Sequence, residues 1–293
     1  MLVTAASLAA LETNLRGEFT KGLTGVEAQW SKIATEIPST GASNTYGWVD
    51  GWPKLREWIG DRVIKRLAKS GYVLTNRDFE GTVAVQRNHI QDDQLGVYGP
   101  MSRELGQSAT EWPDELVFSL LPKGFDTPCY DGQNFFDDEH PVGDETVSNM
   151  QPGAGEPWFL LDTRRALKPL IWQPRQKPQF VALDDMKAEN AFMRKEFLYG
   201  VDARGESGYA FWQQAFGSKA ALTAENYEAA VKTMKSQRNE EDRPLNVKPN
   251  MIVVGPGNVA AAKKLFKAML INGGDSNTLY EDVEIVESQW AVG

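Results

Sequence analysis

Between Asp61 and Arg87 the chain carries a long β-forming stretch loaded with charge. Val63, Ile64 and Leu67 lead into a Lys-Ser-Gly turn at Lys69 to Gly71. Tyr72-Val-Leu-Thr75 and Thr82-Val-Ala-Val-Gln-Arg87 follow with the β-branched residues that favour strands. Arg62, Lys65, Arg66, Lys69, Arg77, Asp78, Glu80 and Arg87 place charge on both faces. The pattern predicts a two-stranded excursion without an apolar stripe to pack at home. A hairpin alone is at best marginally stable in water. The fold must therefore offer it a surface, on this subunit or on the next.

The chain has length and core enough for such a body. Its 293 residues suit one large or two modest domains, and 41% hydrophobic content with nine tryptophans marks a folded protein. One cysteine excludes an intramolecular disulfide framework and fits a reducing cytoplasm. Residues 1–17 lack the basic start and cleavage site of a signal peptide, and no apolar run approaches bilayer length. A net charge of −9 disfavours tight sequence-independent binding to nucleic acid, but not a wall that merely confines it.

Helical periodicity marks both ends of the first third. Thr4 is a plausible N-cap for Leu8, Leu11, Leu15, Phe19 and Leu23. A Gly- and Ser-containing linker, Pro38 to Thr45, separates this helix from a cluster of Trp30, Trp48, Trp52 and Trp58. The helix reads as an arm that folds back on its own core or reaches a neighbouring subunit, with docking on the neighbour as the favoured expectation, and the tryptophans, core taken singly, read together as an interface. A second helix opens at Gly99-Pro100 and runs through Met101, Leu105, Ala109, Trp112, Leu116 and Leu120. Pro113 predicts a kink or two abutting helices.

The middle third is read as short strands: Trp158 to Leu161, Leu170 to Trp172 and Gln179 to Leu183. Pro169, Pro174 and Pro178 punctuate them and point to edges. Aromatic strands at Phe192 to Gly200 and Gly208 to Phe216 flank a turn-like Asp202-Ala-Arg-Gly205. From Leu222 the pattern is helix, strand, helix, strand, with a buried strand at Pro249 to Val254 and a last one at Val283 to Val286.

Catalytic candidates are few. Cys129-Tyr-Asp-Gly-Gln-Asn-Phe-Phe-Asp-Asp-Glu-His-Pro141 holds the lone cysteine and one of two histidines. Cys129 and His140 could pair as nucleophile and base, but neither a third orienting group nor an oxyanion site is evident. The plainer reading is a small buried cysteine and a His-Pro turn. Asp137, Asp138, Glu139 and His140 could face a divalent cation, but they lack regular ligand spacing. Gly255-Pro-Gly-Asn-Val-Ala260 matches a dinucleotide fingerprint, yet only 33 residues follow it and Pro256 removes an N–H. Gly-x-Ser-x-Gly and Walker patterns are absent.

Eight stretches, in order along nearly the whole chain, resemble the major head subunit of Mu-like phages, the T protein family. They are Asn44-Thr-Tyr-Gly-Trp48, Phe79-Glu-Gly-Thr-Val83, Asp92-Asp-Gln-Leu-Gly-Val-Tyr98, Pro113-Asp-Glu-Leu116, Cys129 to Phe136 with Glu139-His-Pro141, Phe192 to Gly200, Gly208-Tyr-Ala-Phe-Trp212 and Val247 to Val254. The resemblance implies an α+β fold of the Hong Kong 97 capsid type. Residues 1–44 become an N-arm and 45–97 the region of the E-loop, which lies across a neighbour. Residues 98–216 become the spine helix and peripheral domain, with part of 142–178 assignable to the axial domain, and 217–293 the axial domain. It implies a structural protein without catalytic, cofactor or metal residues, forming hexamers and pentamers of an icosahedral head around double-stranded DNA. Expected partners are further copies, a separate scaffolding protein, a portal and decoration or minor head proteins, with no membrane. Expected location is the virion capsid, assembled in the bacterial host cytoplasm. Structural or interface roles fall to Leu8, Leu15, Phe19, Trp48, Trp52, Arg62, Arg66, Arg77, Asp131, Gly132, Phe135, Phe136 and His140. The competing expectations are a soluble cytoplasmic enzyme using the Cys129–His140 region and an oligomeric tube or adaptor subunit.

Overall fold

The computed structural model describes residues 2–47, 71–92, 94–271 and 273–292. Trp48, Trp52, Trp58, Arg62, Arg66 and the rest of residues 61–70, where the expected excursion starts, lie outside them. The chain begins with helix α1 (Ala5–Gly25), strands β1 (Ala34–Glu36), β2 (Ser43–Tyr46), β3 (Tyr72–Thr75) and β4 (Arg77–Gln86), and a short α2 (Arg87–Gln91). Next come α3 (Tyr98–Phe118), α4 (Leu120–Lys123), a β5–β6 hairpin (His140–Val142, Glu145–Val147), β7 (Met150–Gln151) and β8 (Trp158–Leu161). Two long strands, β9 (Leu170–Leu183) and β10 (Glu196–Tyr209), flank α5 (Glu189–Met193). The remainder is β11 (Ala215–Ser218), α6 (Ala224–Ser236), β12 (Met251–Val254), α7 (Val259–Phe266), a small β13–β14 hairpin (Leu270–Ile271, Asp275–Ser276) and β15 (Glu284–Glu287).

Two sheets organise these elements. One has the order β1-β9-β10-β4, the other β15-β12-β8-β11-β7. The second sheet draws β7, β8 and β11 from mid-chain and β12 and β15 from the end, so a division at residue 216 cuts through it. Its central strand β8 is buried at every position, as a strand covered on both faces must be. One core cluster lies between this sheet and the ends of α3 and α4, around Val117, Phe118, Leu121 and Phe159. Another lies under α6 and α7, around Tyr227, Met234 and Phe266.

The expected two-stranded excursion needs correction. Tyr72–Thr75 pairs antiparallel with Ser43–Tyr46, whereas Arg77–Gln86 pairs over its whole length with β10 in the body. Asn76, between them, is buried and tied down: its N–H donates to Ala42 O at 2.9 Å and its side chain to Ser39 Oγ at 2.9 Å. Beneath the charges, Phe79, Gly81, Val83 and Val85 alternate as the more buried face of β4. This stripe was masked in the sequence by Arg77, Asp78 and Glu80.

The middle strands are fewer and longer than expected. Asp202–Gly205 is no turn: β10 passes straight through it, and register shifts around Arg204 absorb the irregularity. Pro174 and Pro178 lie inside β9, a strand with a neighbour on each side. The β1 ladder ends at Trp172; just beyond it Ser39 N donates to Pro174 O at 2.9 Å, so this edge of β9 accepts there and needs no N–H from the proline.

Helix α1 starts where expected. Thr4 accepts from Ser7 N at 3.1 Å, and Ser7 Oγ accepts in return from Thr4 N at 2.8 Å, a reciprocal cap. Its stripe, however, does not wait for a neighbour. Leu8, Leu11, Leu15 and Phe19 are buried in their own subunit against Val85, Ile90, Tyr98, Phe180, Phe197 and Tyr199. The sequence offered no such surface nearby because the partners come from as far along the chain as Tyr199. Gly22 and Gly106 allow α1 and α3 to touch backbone to backbone. A Cβ on Gly22 would lie 2.0 Å from Arg103 O, and one on Gly106 2.2 Å from Phe19 O. Ser102 Oγ donates to Leu15 O at 2.7 Å across the same crossing. A single helix, α3, carries Pro113 inside it, in place of two abutting helices.

Candidate functional site

The loop from Cys129 to Pro141 is built on a turn. Gly132 adopts φ +90°, a region that favours glycine, and Asp131 Oδ1 accepts from Gln133 N at 3.1 Å. Asp131 then gathers the two residues singled out for chemistry. Cys129 Sγ donates to its Oδ1 at 3.1 Å, and His140 Nδ1 lies 2.8 Å from its Oδ2. The fully buried His140 ring stacks on Trp212, with centroids 3.9 Å apart and planes within 9°.

This arrangement opposes nucleophilic catalysis. A reactive thiol needs a base as hydrogen-bond partner and a lowered pKa. Here thiol and imidazole both turn to the carboxylate. Burial, and then the charge of Asp131, pushes the Cys129 thiol far above its ordinary value. Burial would also raise Asp131, but the hydrogen bonds from His140 and Cys129 outweigh it and hold the carboxyl below its usual range. Cys129, Asp131 and His140 place S, O and N donors within 4.8 Å of one another, the one such group among the described residues. Both Asp131 oxygens are already engaged by its neighbours, so the trio is a hydrogen-bonded clasp. Asp137 Oδ1 accepts from Glu139 N at 3.1 Å, which makes the acidic run a capped turn.

Beside the clasp, Phe135 and Phe136 drive into the first core. Phe135 stacks on Tyr209 at 4.4 Å, and Phe136 on Phe159 at 5.4 Å. Both lie in the cluster that holds Val117, Phe118 and Leu121, at the end of α3. Asn149, fully buried, ties the loop to the sheet through Phe135 O at 2.8 Å and Asp137 N at 2.9 Å. It escaped sequence reasoning, since nothing near it marks a buried hub.

The glycine fingerprint fails for a physical reason. The Glu156 carboxylate accepts from Gly257 N at 3.0 Å, and a Cβ on Gly255 would lie 2.4 Å from Glu156 Oε1. A fixed anion thus stands where a pyrophosphate would have to bind.

The expected interface residues divide. Leu8, Leu15 and Phe19 are core. Arg77, on β4, pairs with Glu206, whose hydrogen bond raises the guanidinium further. Sequence reasoning missed two exposed apolar tips. Val181, Leu183, Met186, Phe192 and Met193 are exposed at the β9–β10 end, with Phe192 at 83%. Met269, Leu270 and Ile271 are exposed at the β13–β14 hairpin. Isolated exposed apolar residues are ordinary, but groups of three and five point to contacts with other molecules.

Known proteins match this geometry along the whole chain. The profile of the family described as "Mu-like prophage major head subunit gpT" matches residues 8–291. The major capsid protein of Escherichia phage Mu is 41% identical over 292 residues, covering 96% of each chain. A subunit of the bacteriophage JBD30 procapsid superposes with a TM-score of 0.86 at 44% identity, covering 98% of this chain and all of that one. A subunit of the JBD30 capsid decorated with minor capsid protein trimers gives 0.77 at 34% identity, over 89% and 90% of the two chains. The chain therefore belongs to the Mu-like gpT major head subunit family, and it is a phage major capsid protein with the Hong Kong 97-type fold.

Proposed function

We propose that copies of this subunit close into hexamers and pentamers of an icosahedral head, and that the chain has no catalytic role. The observation that carries this is two groups of exposed apolar residues, one at the β9–β10 end and one on the β13–β14 hairpin, beside well-buried cores among the described residues. Heterologous contacts between such surfaces generate rings that close, and many modest contacts add up to a durable shell. The β1-β9-β10-β4 sheet then serves as peripheral domain, the β15-β12-β8-β11-β7 sheet as axial domain and α3 as spine helix. The β2–β3 ribbon is the root of the E-loop.

The same reading extends to partners. A separate scaffolding protein and a portal would guide assembly in the host cytoplasm. Minor capsid trimers like those on the JBD30 capsid would decorate the shell. Double-stranded DNA would be confined by an acidic wall without specific grip. Light scattering and electron microscopy on the chain co-expressed with its scaffolding protein test the reading. Closed particles tens of nanometres across, with six- and five-fold capsomers, are expected. A chain that stays monomeric, or forms open tubes or one small ring, would overturn it.

A further inference from the structure

The clasp at the turn of Gly132 joins three kinds of donor. Cys129, Asp131 and His140 each bring one ligand atom to within 4.8 Å of the others. Thiol and imidazole converge on one carboxylate, Sγ at 3.1 Å and Nδ1 at 2.8 Å. The sequence set His140 beside Asp137, Asp138 and Glu139. Folding gathers a different set around it, one soft sulfur, one imidazole nitrogen and one hard oxygen.

That mixture suits Zn²⁺, which binds Cys, His and Asp at roughly 2.3, 2.0 and 2.0 Å with tetrahedral angles. Those lengths and angles set the ligand atoms roughly 3.3–3.6 Å apart. Both contacts to Asp131 thus need to widen by only about 0.5 Å, while thiol and imidazole draw together from at most 4.8 Å. The frame that would hold them is fixed. The His140 ring lies flat on Trp212, and the turn at Gly132 anchors Asp131.

Charge favours the exchange of protons for a metal. Thiolate, carboxylate and imidazole around Zn²⁺ form a neutral site, which a buried place tolerates. Burial and the Asp131 charge keep the free Cys129 thiol protonated. A bound cation offsets that charge, and a coordinating thiol is deprotonated outright. A cavity of about 250 Å³ adjoins the clasp, lined by Asp131 with Tyr130, Gln213, Arg238 and Glu240. Water in it can supply a fourth ligand.

We propose that Cys129, Asp131 and His140 bind one zinc ion, with water as the fourth ligand. The thiol proton is released to solvent, and the imidazole proton passes from Nδ1 to Nε2, a buried atom with no hydrogen bond to lose. No electron is transferred. The ion joins the start of the loop at Cys129 to the start of β5 at His140. This site stands on the clasp alone and does not depend on the shell reading.

The test uses the full chain produced in medium supplemented with zinc or with cobalt, so that the ion is offered while the chain folds. Mass spectrometry of the metal content should give close to one zinc per chain after dialysis. The cobalt form should show the intense near-ultraviolet absorption of a thiolate–cobalt bond. Cys129 is the chain's one cysteine, so that band reports on this site alone. Zinc loading should raise the thermal midpoint by about 5 °C over chelator-treated protein. Cys129→Ser can keep the hydrogen bond to Asp131, so its circular dichroism should stay native while the band vanishes and zinc affinity falls at least tenfold. Absence of the thiolate–cobalt band from the parent chain overturns the proposal, whatever the variant does. So does zinc retained undiminished by Cys129→Ser, which would mark an adventitious ion only.

Discussion

Asp131 shows how a residue suited to chemistry can be spent on structure. It accepts from a thiol, an imidazole and a backbone N–H at once, and its side chain is only 10% exposed. Because its folded pKa is depressed, folding favours the ionised form. The stabilisation is complete above the unfolded value of about 4 and is lost as acid protonates the folded group. Asp131→Asn should therefore cost about 2 kcal/mol at neutral pH and flatten the acid limb of a stability–pH curve, which urea titrations from pH 3 to 7 would show. The Asp-Gly turn and the paired phenylalanines were legible beforehand, since turn chemistry and aromatic burial act locally. The Trp212 face that holds His140 was not, because it arrives from 72 residues further on.

At the scale of elements, periodicity served the helices better than the strands. Both long helices show their stripe, and the cap on α1 is written in Thr4 and Ser7. What the stripe of α1 packs on could not be read, because its partners lie on β4, β9 and β10, and the small residues that admit close approach signal no partner. Gly106 makes the point testable. Ala is the better helix former by about 1 kcal/mol, but its Cβ would press on a backbone oxygen that cannot swing away. Gly106→Ala should therefore destabilise by roughly 1–3 kcal/mol in denaturant unfolding, by forcing α1 off α3. A neutral or stabilising result would mean that the crossing has slack. The strands misled in two ways: charge concealed the alternation of β4, and local polar residues suggested a break in β10 that tertiary pairing overrides.

Across the whole molecule, the family resemblance carried the architecture, and the single-chain fold revises the role of its first element. Burying Leu8, Leu11, Leu15 and Phe19 contributes roughly 6–12 kcal/mol, a sum comparable to the entire stability of a typical domain. Deleting residues 1–25 should therefore yield insoluble or unfolded protein. Recovery of soluble, native-like subunits that merely fail to assemble would instead return α1 to the role of an intersubunit arm. Far-ultraviolet circular dichroism and gel filtration of the truncated chain distinguish these outcomes.

The braided five-stranded sheet also sets a clock. Strand β8, four large apolar residues in a row, is flanked on one side by β11 and on the other by β12, and β15 closes the edge beyond it. The ribosome must add more than a hundred residues after Leu161 before β15 exists, which takes on the order of ten seconds at typical bacterial rates. Throughout that interval Trp158 to Leu161 cannot be fully covered by its own chain. A nascent subunit is thus held unfinished, dependent on whatever shields that strand, until β15 emerges. A chain cut short before β15 would lack the strand that completes this sheet.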